Sequence, residues 1–353
     1  MTVRFSAAAA DARLDALFVP FAQGELRLPA EGRALFLHAR AGFALRENAQ
    51  LGWLCEQGFR PFADALQQLG LRVGTPAEDE RFPLVLLLPP RQREEARAAF
   101  AQAVHHAQPG GVVLAAVPNA EGARSAQADF ERLLGPSRSL SKHKCRVFWA
   151  SPGEHALDHA LLQQWRELDT PRRIAGGYLS RPGLFAWDRI DAASALLASH
   201  LPADLRGRVA DLGAGYGYLA AQVIARCPQV DAIDLYEAQA RALEPARSNL
   251  AEAVRASGRT LTTRVHWHDV TAGLTQRYDA IVSNPPFHQG RADLPELGRA
   301  FIEAAAQALL SGGRLWLVAN RHLPYEATLA AHFAQVRTVV TQEGFKVIEA
   351  VRA

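Results

Sequence analysis

Lysine is nearly missing from this chain. Of 39 Lys and Arg residues only Lys142, Lys144 and Lys346 are lysine, so arginine carries almost all the positive charge. Guanidinium suits phosphate forks and base stacking. Genomic base composition produces the same bias, and both readings stand. Cysteine is scarce too: Cys55, Cys145 and Cys227 are scattered, with neither disulfide nor metal-ligand spacing. That fits a reducing compartment and argues against a metal site. No run of ~18 apolar residues occurs, so no membrane span is expected. The opening MTVRFSAAAADAR lacks a long apolar core and carries Asp11, so a cytoplasmic location is expected in place of secretion. A strong charge of either sign is also lacking. Net charge is +3, too weak to demand a nucleic-acid partner by itself.

What is present is a chain of 353 residues, 49% hydrophobic and 21% charged. That length suits about two domains at ~150 residues each, and the composition is that of a globular protein. The organising stretch is YDAIVSNPPFHQG (278–290). Its apolar run reads as a buried parallel strand. The strand stops at Asn284-Pro285-Pro286, because proline has no N–H for a ladder and turns the preceding residue away from helix. A rigid corner therefore forms at the carboxyl end of a strand, where open α/β sheets keep their chemistry. The Asn284 Oδ1 and the Pro285 carbonyl can both accept from an exocyclic amine on a flat ring. Accepting both protons pulls the nitrogen lone pair out of conjugation, and Phe287 can stack on the ring. The plain structural reading of the corner is a helix-starting turn. His288 reads as a surface residue, and no general base is named.

Upstream, GRVADLGAGYGYLAAQVIARCP (207–228) reads as strand, glycine loop and helix. Asp211, Gly213, Gly215 and Gly217 form D-x-G-x-G-x-G, with glycines that let backbone approach a ligand and a helix whose positive end meets the loop. A dinucleotide fingerprint wants G-x-G-x-x-G, and Tyr218 breaks it, which disfavours a nicotinamide dehydrogenase. The pattern instead suits a nucleoside amino acid, with its ammonium near an acid. An acid at the end of the next strand (230–237) should accept from both ribose hydroxyls. Glu237 is favoured over Asp234, which falls within the strand. Asp269 either accepts from an adenine amine or caps a turn.

The first half repeats the second. FPLVLLLPP…PGGVVLAAVPN (82–119) parallels YDAIVSNPP…SGGRLWLVANR (278–321), and KCRVFWA (144–150) parallels FKVIEAV (345–351). An internal duplication of one α/β unit is expected. The first copy has strands at 34–38, 82–90, 112–117 and 145–150, helices at 94–107 and 126–134, and a mostly helical stretch at 48–68 with breaks at Gly52 and Gly58. The second has strands at 263–268 and 314–318, a helix at 297–310, and a closing antiparallel pair at 333–342 and 344–351. Leu88 stands where the second copy has Asn284, and the loop after 34–38 holds only Gly42. The first copy should therefore be catalytically empty. A boundary is expected near residue 170, giving domains 1–170 and 171–353. The aromatic-rich segment 178–187 either folds over a bound cofactor or is a linker packed on the second domain.

DLGAGYG (211–217), Glu237 and NPPF (284–287) resemble the class I S-adenosylmethionine-dependent methyltransferases. Within that class NPP followed by Phe or Tyr marks methylation of an amino group of adenine, guanine or a glutamine amide. The longer SNPPFHQG (283–290), with LWLVANRHLPY (315–325), FKV (345–347) and PGLFAWDRID (182–191), is similar to the bacterial ribosomal RNA guanine-N2 methyltransferases. These comprise the small-subunit methyltransferase C group and its large-subunit relative G. The chain departs from them at Ala214, where cysteine is usual, and at Ala186-Trp187, where Ser-Arg is more frequent. The resemblance implies two tandem Rossmann-like class I methyltransferase domains, the N-terminal one degenerate. It implies S-adenosyl-L-methionine as cofactor, held by Asp211, Gly213, Gly215, Gly217, Glu237, Asp269 and Asn284, with Asn284, Pro285, Pro286 and Phe287 catalytic. The implied partner is ribosomal RNA of the small subunit, with no membrane and no metal. Alternatives are a 23S guanine-N2 enzyme, an adenine-N6 or protein-glutamine methyltransferase, and an RNA-binding assembly factor with a vestigial cofactor fold.

Overall fold

The computed structural model describes residues 11–353 except Glu154, Phe287, Gly290, Arg291 and Leu294; of residues 288, 289, 292 and 293 it describes the backbone only. The chain divides into two compact units, Ser6–Thr170 and one containing Pro171–Ala353.

In the first unit the strands are β1 Arg33–Leu37, β2 Gly52–Cys55, β3 Arg72–Val73, β4 Phe82–Leu87, β5 Ala107–Pro118, β6 Arg138–Lys142 and β7 Cys145–Ala150. They form one sheet in the order β3-β2-β1-β4-β5-β7-β6. The first five run parallel, and β7 lies antiparallel to β5 and β6. A short hairpin, β8 Arg172–Arg173 with β9 Leu179–Ser180, opens the second unit. There follow β10 Arg206–Leu212, β11 Gln229–Glu237, β12 Thr262–Trp267, β13 Tyr278–Ser283, the ribbon strands β14 His288–Gln289 and β15 Ala292–Asp293, β16 Leu309–Asn320, β17 Gln335–Gln342 and β18 Phe345–Val351. The main sheet has the order β12-β11-β10-β13-β16-β18-β17, the first sheet's order again. The expected duplication is thus present strand for strand.

The register repeats as well. In one unit Leu37 pairs with Leu87, and in the other Leu212 pairs with Ser283. Both units carry the same irregularity: the pairing jumps from Phe82–Ala107 to Leu84–Val112, and from Tyr278–Leu309 to Ala280–Arg314. The strands expected at 112–117 and 314–318 therefore begin earlier, and the Gly-Gly pair expected to be a turn is looped out of a continuing strand. Gly110 and Gly312 take it up in the left-handed region, at φ 73° in both.

β4 and β13 are buried at every position but their second, because helices cover both faces of a parallel sheet. In the second unit Tyr278, Ile281 and Leu317 pack with Phe301 and Ile302 of the helix Pro295–Ala308. On the other face Val282 and Val318 pack with Leu197 of the helix Ala192–His200 and Ile224 of the helix Tyr218–Arg226. The sheet order reverses between β10 and β13, which leaves a crevice at their carboxyl ends.

Residues 48–68 differ from expectation. They hold β2 before the helix Arg60–Gln68. Gly52, read from sequence as a helix break, starts the strand: a Cβ there would meet the Gly32 carbonyl oxygen at 2.5 Å. The edge strands β3 and β6 are also additions. β6 is almost wholly exposed and carries no apolar alternation to reveal it. Among the described residues no helix is long and apolar enough to cross a membrane.

Candidate active site

Two strand ends meet at the crevice. The Ser283 hydroxyl donates to the Leu212 carbonyl at 2.8 Å, locking the end of β13 to the end of β10. The glycine loop 213–217 and the corner 284–286 are thereby neighbours. A Cβ on Gly213 would lie 3.2 Å from Phe301 Cε1 and 3.7 Å from Pro286 Cδ.

The loop needs its glycines. Gly213, Gly215 and Gly217 sit at φ 72°, 53° and 86°, left-handed backbone that side chains disfavour. Gly217 also caps the helix Tyr218–Arg226, and a Cβ there would meet Leu235 at 3.3 Å and the Ala246 Cα at 3.5 Å. The Gly213 and Ala214 N–H groups both donate to the Tyr236 carbonyl. Two acids flank the loop. Asp211 is fully buried, and its Oδ2 accepts from the Ala220 N–H at 3.0 Å inside the first turn of that helix. Its Oδ1 is buried with no hydrogen-bond partner among the described residues. Burial pushes the Asp211 carboxyl up to about 7, the Glu237 charge adds to this, and the Ala220 N–H opposes it. Glu237 ends β11; its Oε2 accepts from the Gly215 N–H at 2.8 Å and its Oε1 from the Gln239 N–H at 2.7 Å. Burial raises its carboxyl above the ordinary range despite those bonds.

At the corner Pro285 is buried, Pro286 is exposed and Asn284 is half-buried. The Asn284 Nδ2 donates to Asp191 Oδ2 and to Ser194 Oγ, each at 2.9 Å. Its Oδ1 is buried and has no partner among the described residues. A buried carbonyl without a donor is costly and calls for an explanation; an oxygen so placed is free to accept from a ligand N–H. Phe287 lies outside the described residues. Asp269 caps the turn Val270–Ala272, with Oδ1 accepting from the Thr271 N–H at 2.9 Å and from its hydroxyl at 2.7 Å. Asp234, the other acid of β11, lies inside the strand at 1% exposure and is taken up by Arg208 at 2.8 Å and the Tyr278 hydroxyl at 2.9 Å.

Asp191 and Ser194 were not among the residues singled out from sequence. The spacing Asp-x-x-Ser before an apolar stretch signals a helix start. Nothing local signals that this cap meets a side chain 93 residues away. The segment before it is packed down on the second unit. The Tyr216 hydroxyl donates to the Arg189 carbonyl at 3.1 Å, Arg241 donates to the Pro182 carbonyl at 2.8 Å, and Asn249 Nδ2 bridges the Leu179 and Tyr216 carbonyls at 2.8 Å each. Among the described residues no cluster of three or more His, Cys, Asp and Glu side chains could hold a metal.

The matching stations of the first unit are filled differently. Counting from the paired strand ends, Leu88 stands at the place of Asn284 and is buried at 2% exposure. His38 and Arg40 replace Gly213 and Gly215, and Gln57 replaces Glu237. The loop has the same length, with Gly42 capping the helix Phe43–Asn48. The Gln57 amide turns back onto the Ala39 carbonyl at 2.6 Å. The Arg40 guanidinium lies 3.2 Å from the centre of the Phe62 ring. Burial, and then the like charge of Arg13, pull it down to about 10. A bulky cation and a leucine thus stand where the second unit keeps bare backbone and an amide.

The methyltransferase small domain family matches residues 176–349. The ribosomal RNA small subunit methyltransferase C of Shewanella baltica (strain OS195) is 31% identical over 274 residues, 77% of this chain and 76% of that protein. Its namesake from Shewanella pealeana is 29% identical over 277 residues, 78% of this chain and 79% of that protein. Among solved structures, the T. thermophilus 16S rRNA N2 G1207 methyltransferase in complex with AdoMet and guanosine superposes with a TM-score of 0.78 at 25% identity, covering 99% of this chain and 93% of that one. The resemblance read from the motifs therefore holds, and so does the fold it implied, two tandem Rossmann-like methyltransferase units. The chain belongs to the ribosomal RNA small subunit methyltransferase C family.

Proposed function

We propose that this chain transfers a methyl group from S-adenosylmethionine to the N2 amine of a guanine in small-subunit ribosomal RNA. The observation that carries the reading is the Asn284 amide, whose nitrogen is tied down twice and whose buried oxygen has no donor among the described residues. The family, and the AdoMet and guanosine bound in the T. thermophilus structure, support the choice of cofactor and base.

The residues suit that cofactor. Left-handed glycines leave room for backbone to reach its carboxylate, the orphaned Asp211 Oδ1 suits its ammonium, and Glu237 suits its ribose hydroxyls. Asp269 serves the adenine amine with the carboxylate oxygen that its cap leaves over. S-adenosylmethionine, when bound, supplies an electrophilic methyl group, so neither a metal nor a covalent enzyme intermediate is required. The chain's work is positioning. The guanine leaves its stack to enter the crevice, and Phe287 stacks on it. Asn284 Oδ1 and the Pro285 carbonyl accept the two N2 protons, free the lone pair and favour the positive charge that grows on the nitrogen. The surplus proton leaves after transfer. The first unit supports the second or binds RNA, and takes no cofactor of its own. Such a substrate supports a cytoplasmic location.

The test uses ribosomal RNA and small subunits from cells lacking this gene, labelled cofactor, and mass analysis of the digested nucleosides. N2-methylguanosine in 16S RNA is the expected product. Label in N6-methyladenosine, in 23S RNA or in protein glutamine overturns the assignment. A protein that neither methylates nor shows a cofactor-induced thermal shift is an assembly factor instead.

Removing Glu237 tests the cofactor half of the site. Glu237→Ala takes away the brace on the Gly215 N–H together with the acceptor for the ribose. Lost charged hydrogen bonds at ~1.5–3 kcal/mol each imply a cofactor Kd raised about 10²-fold. Calorimetric titration measures it, and an unchanged Kd would mean that the ribose lies elsewhere.

A further inference from the structure

We infer that Asp191 and Ser194 are positioning residues that decide which end of the Asn284 amide faces the substrate. The inference rests on the reading of Asn284 as the amine's acceptor. An amide side chain can sit in its slot in two ways, related by a half-turn about the last bond. One presents oxygen and accepts from an amine. The other presents NH2 and repels it. The two shapes are nearly the same, so packing alone cannot choose between them.

Charge and hydrogen bonding choose instead. An ionised carboxylate only accepts. Facing Asp191 Oδ2, the Asn284 amide can therefore only donate, and its Nδ2 does so at 2.9 Å. Ser194 Oγ takes the second proton of the same nitrogen at 2.9 Å. Both protons of Nδ2 are spent, and Oδ1 is the end left for the substrate. A half-turn would press the Asn284 oxygen onto the Asp191 oxygen, two acceptors with no proton between them.

The device is itself held. Asp191 caps the helix Ala192–His200, its Oδ2 also accepting from the Ser194 N–H at 2.8 Å. That helix is anchored by Leu197 and Ala198, buried with Val282 of β13 and Val318 of β16. The Ser283–Leu212 bond fixes the backbone on the other side of the amide. The orientation of the acceptor is thus set by a helix start some 90 residues upstream.

The deciding experiment exchanges the two groups. Asn284→Asp alone sets two carboxylates against each other and is expected to be inactive. Adding Asp191→Asn restores a donor facing an acceptor: the new amide donates to the new carboxylate, whose other oxygen faces the guanine amine. The pair is expected to regain at least about tenfold in kcat over Asn284→Asp, a coupling that independent sites do not show. Asp191→Ala, tested beside it, is expected to lower kcat about 10²-fold with the cofactor KM within about twofold. Ser194→Ala should do the same more weakly. A purely capping role would cost stability and give no rescue. An exchanged pair no more active than Asn284→Asp overturns the inference, as does Asp191→Ala at the wild-type kcat. Should Asp191→Ala fail to fold, the exchanged pair still decides, because asparagine also caps helices. If Asn284→Ala itself stays active, the reading of the corner fails. If Asn284→Ala is dead while Asp191→Ala is normal, only the present inference fails.

Discussion

Asn284→Ala is expected to lower kcat about 10³-fold, the scale seen when one preorganised polar contact to a transition state is removed. Cofactor affinity should stay within a few-fold. Stability should also change little. The substitution deletes a buried oxygen that has no donor among the described residues, which relieves a cost. It also deletes two hydrogen bonds, but Asp191 Oδ2 keeps the Ser194 N–H at 2.8 Å. Gains and losses of about 1 kcal/mol each roughly cancel. Single-turnover methylation of ribosomal RNA, with a thermal shift by cofactor as the control, separates the two halves of the site. Turnover near the wild-type rate would remove Asn284 from the chemistry.

Asp211→Asn is expected to stabilise the ligand-free protein while weakening cofactor binding about 10²-fold. The carboxyl titrates at about 7 in the fold against an ordinary 3.8, chiefly because it is fully buried. Between those values the native state holds a proton that the unfolded chain has lost, so this group's contribution falls as pH rises from about 4 to about 7 and stays flat above. At ~1.4 kcal/mol per pH unit the penalty reaches ~4 kcal/mol as an upper bound. Asparagine removes the charge and keeps an oxygen for the Ala220 N–H. The variant should therefore gain on the wild type steadily across that window in thermal melts. Parallel curves would mean that the carboxylate is better solvated than its burial implies. Under the proposed function Asp211 faces the cofactor's ammonium, so the same change should weaken binding. A stabilised variant with intact affinity would separate Asp211 from the ammonium.

Much of the architecture was legible because local chemistry dictates it. The apolar runs of β4 and β13 permit only strands buried on both faces, and the prolines after them permit only a stop. The left-handed turns at Gly213, Gly215 and Gly217 follow from glycines that other residues replace only with strain. The duplication showed in repeated spacing because a buried parallel sheet constrains every residue of its inner strands. β2 and the edge strands β3 and β6 were not legible. Gly52 looks like a helix break until the Gly32 carbonyl is seen against it, and β6 is exposed, so no apolar alternation records its pairing.

At the candidate active site, sequence alone determined which groups stand at the strand ends, because a strand's carboxyl end is a matter of order along the chain. What those groups face was decided only in three dimensions. That Asp211 and Asn284 each keep a buried oxygen with no donor among the described residues depends on every neighbour that the fold supplies or withholds. That Asp191 holds Asn284 depends on a contact across 93 residues. Short-range pattern carries backbone conformation, whereas the direction of a hydrogen bond is settled by whichever distant group arrives opposite it.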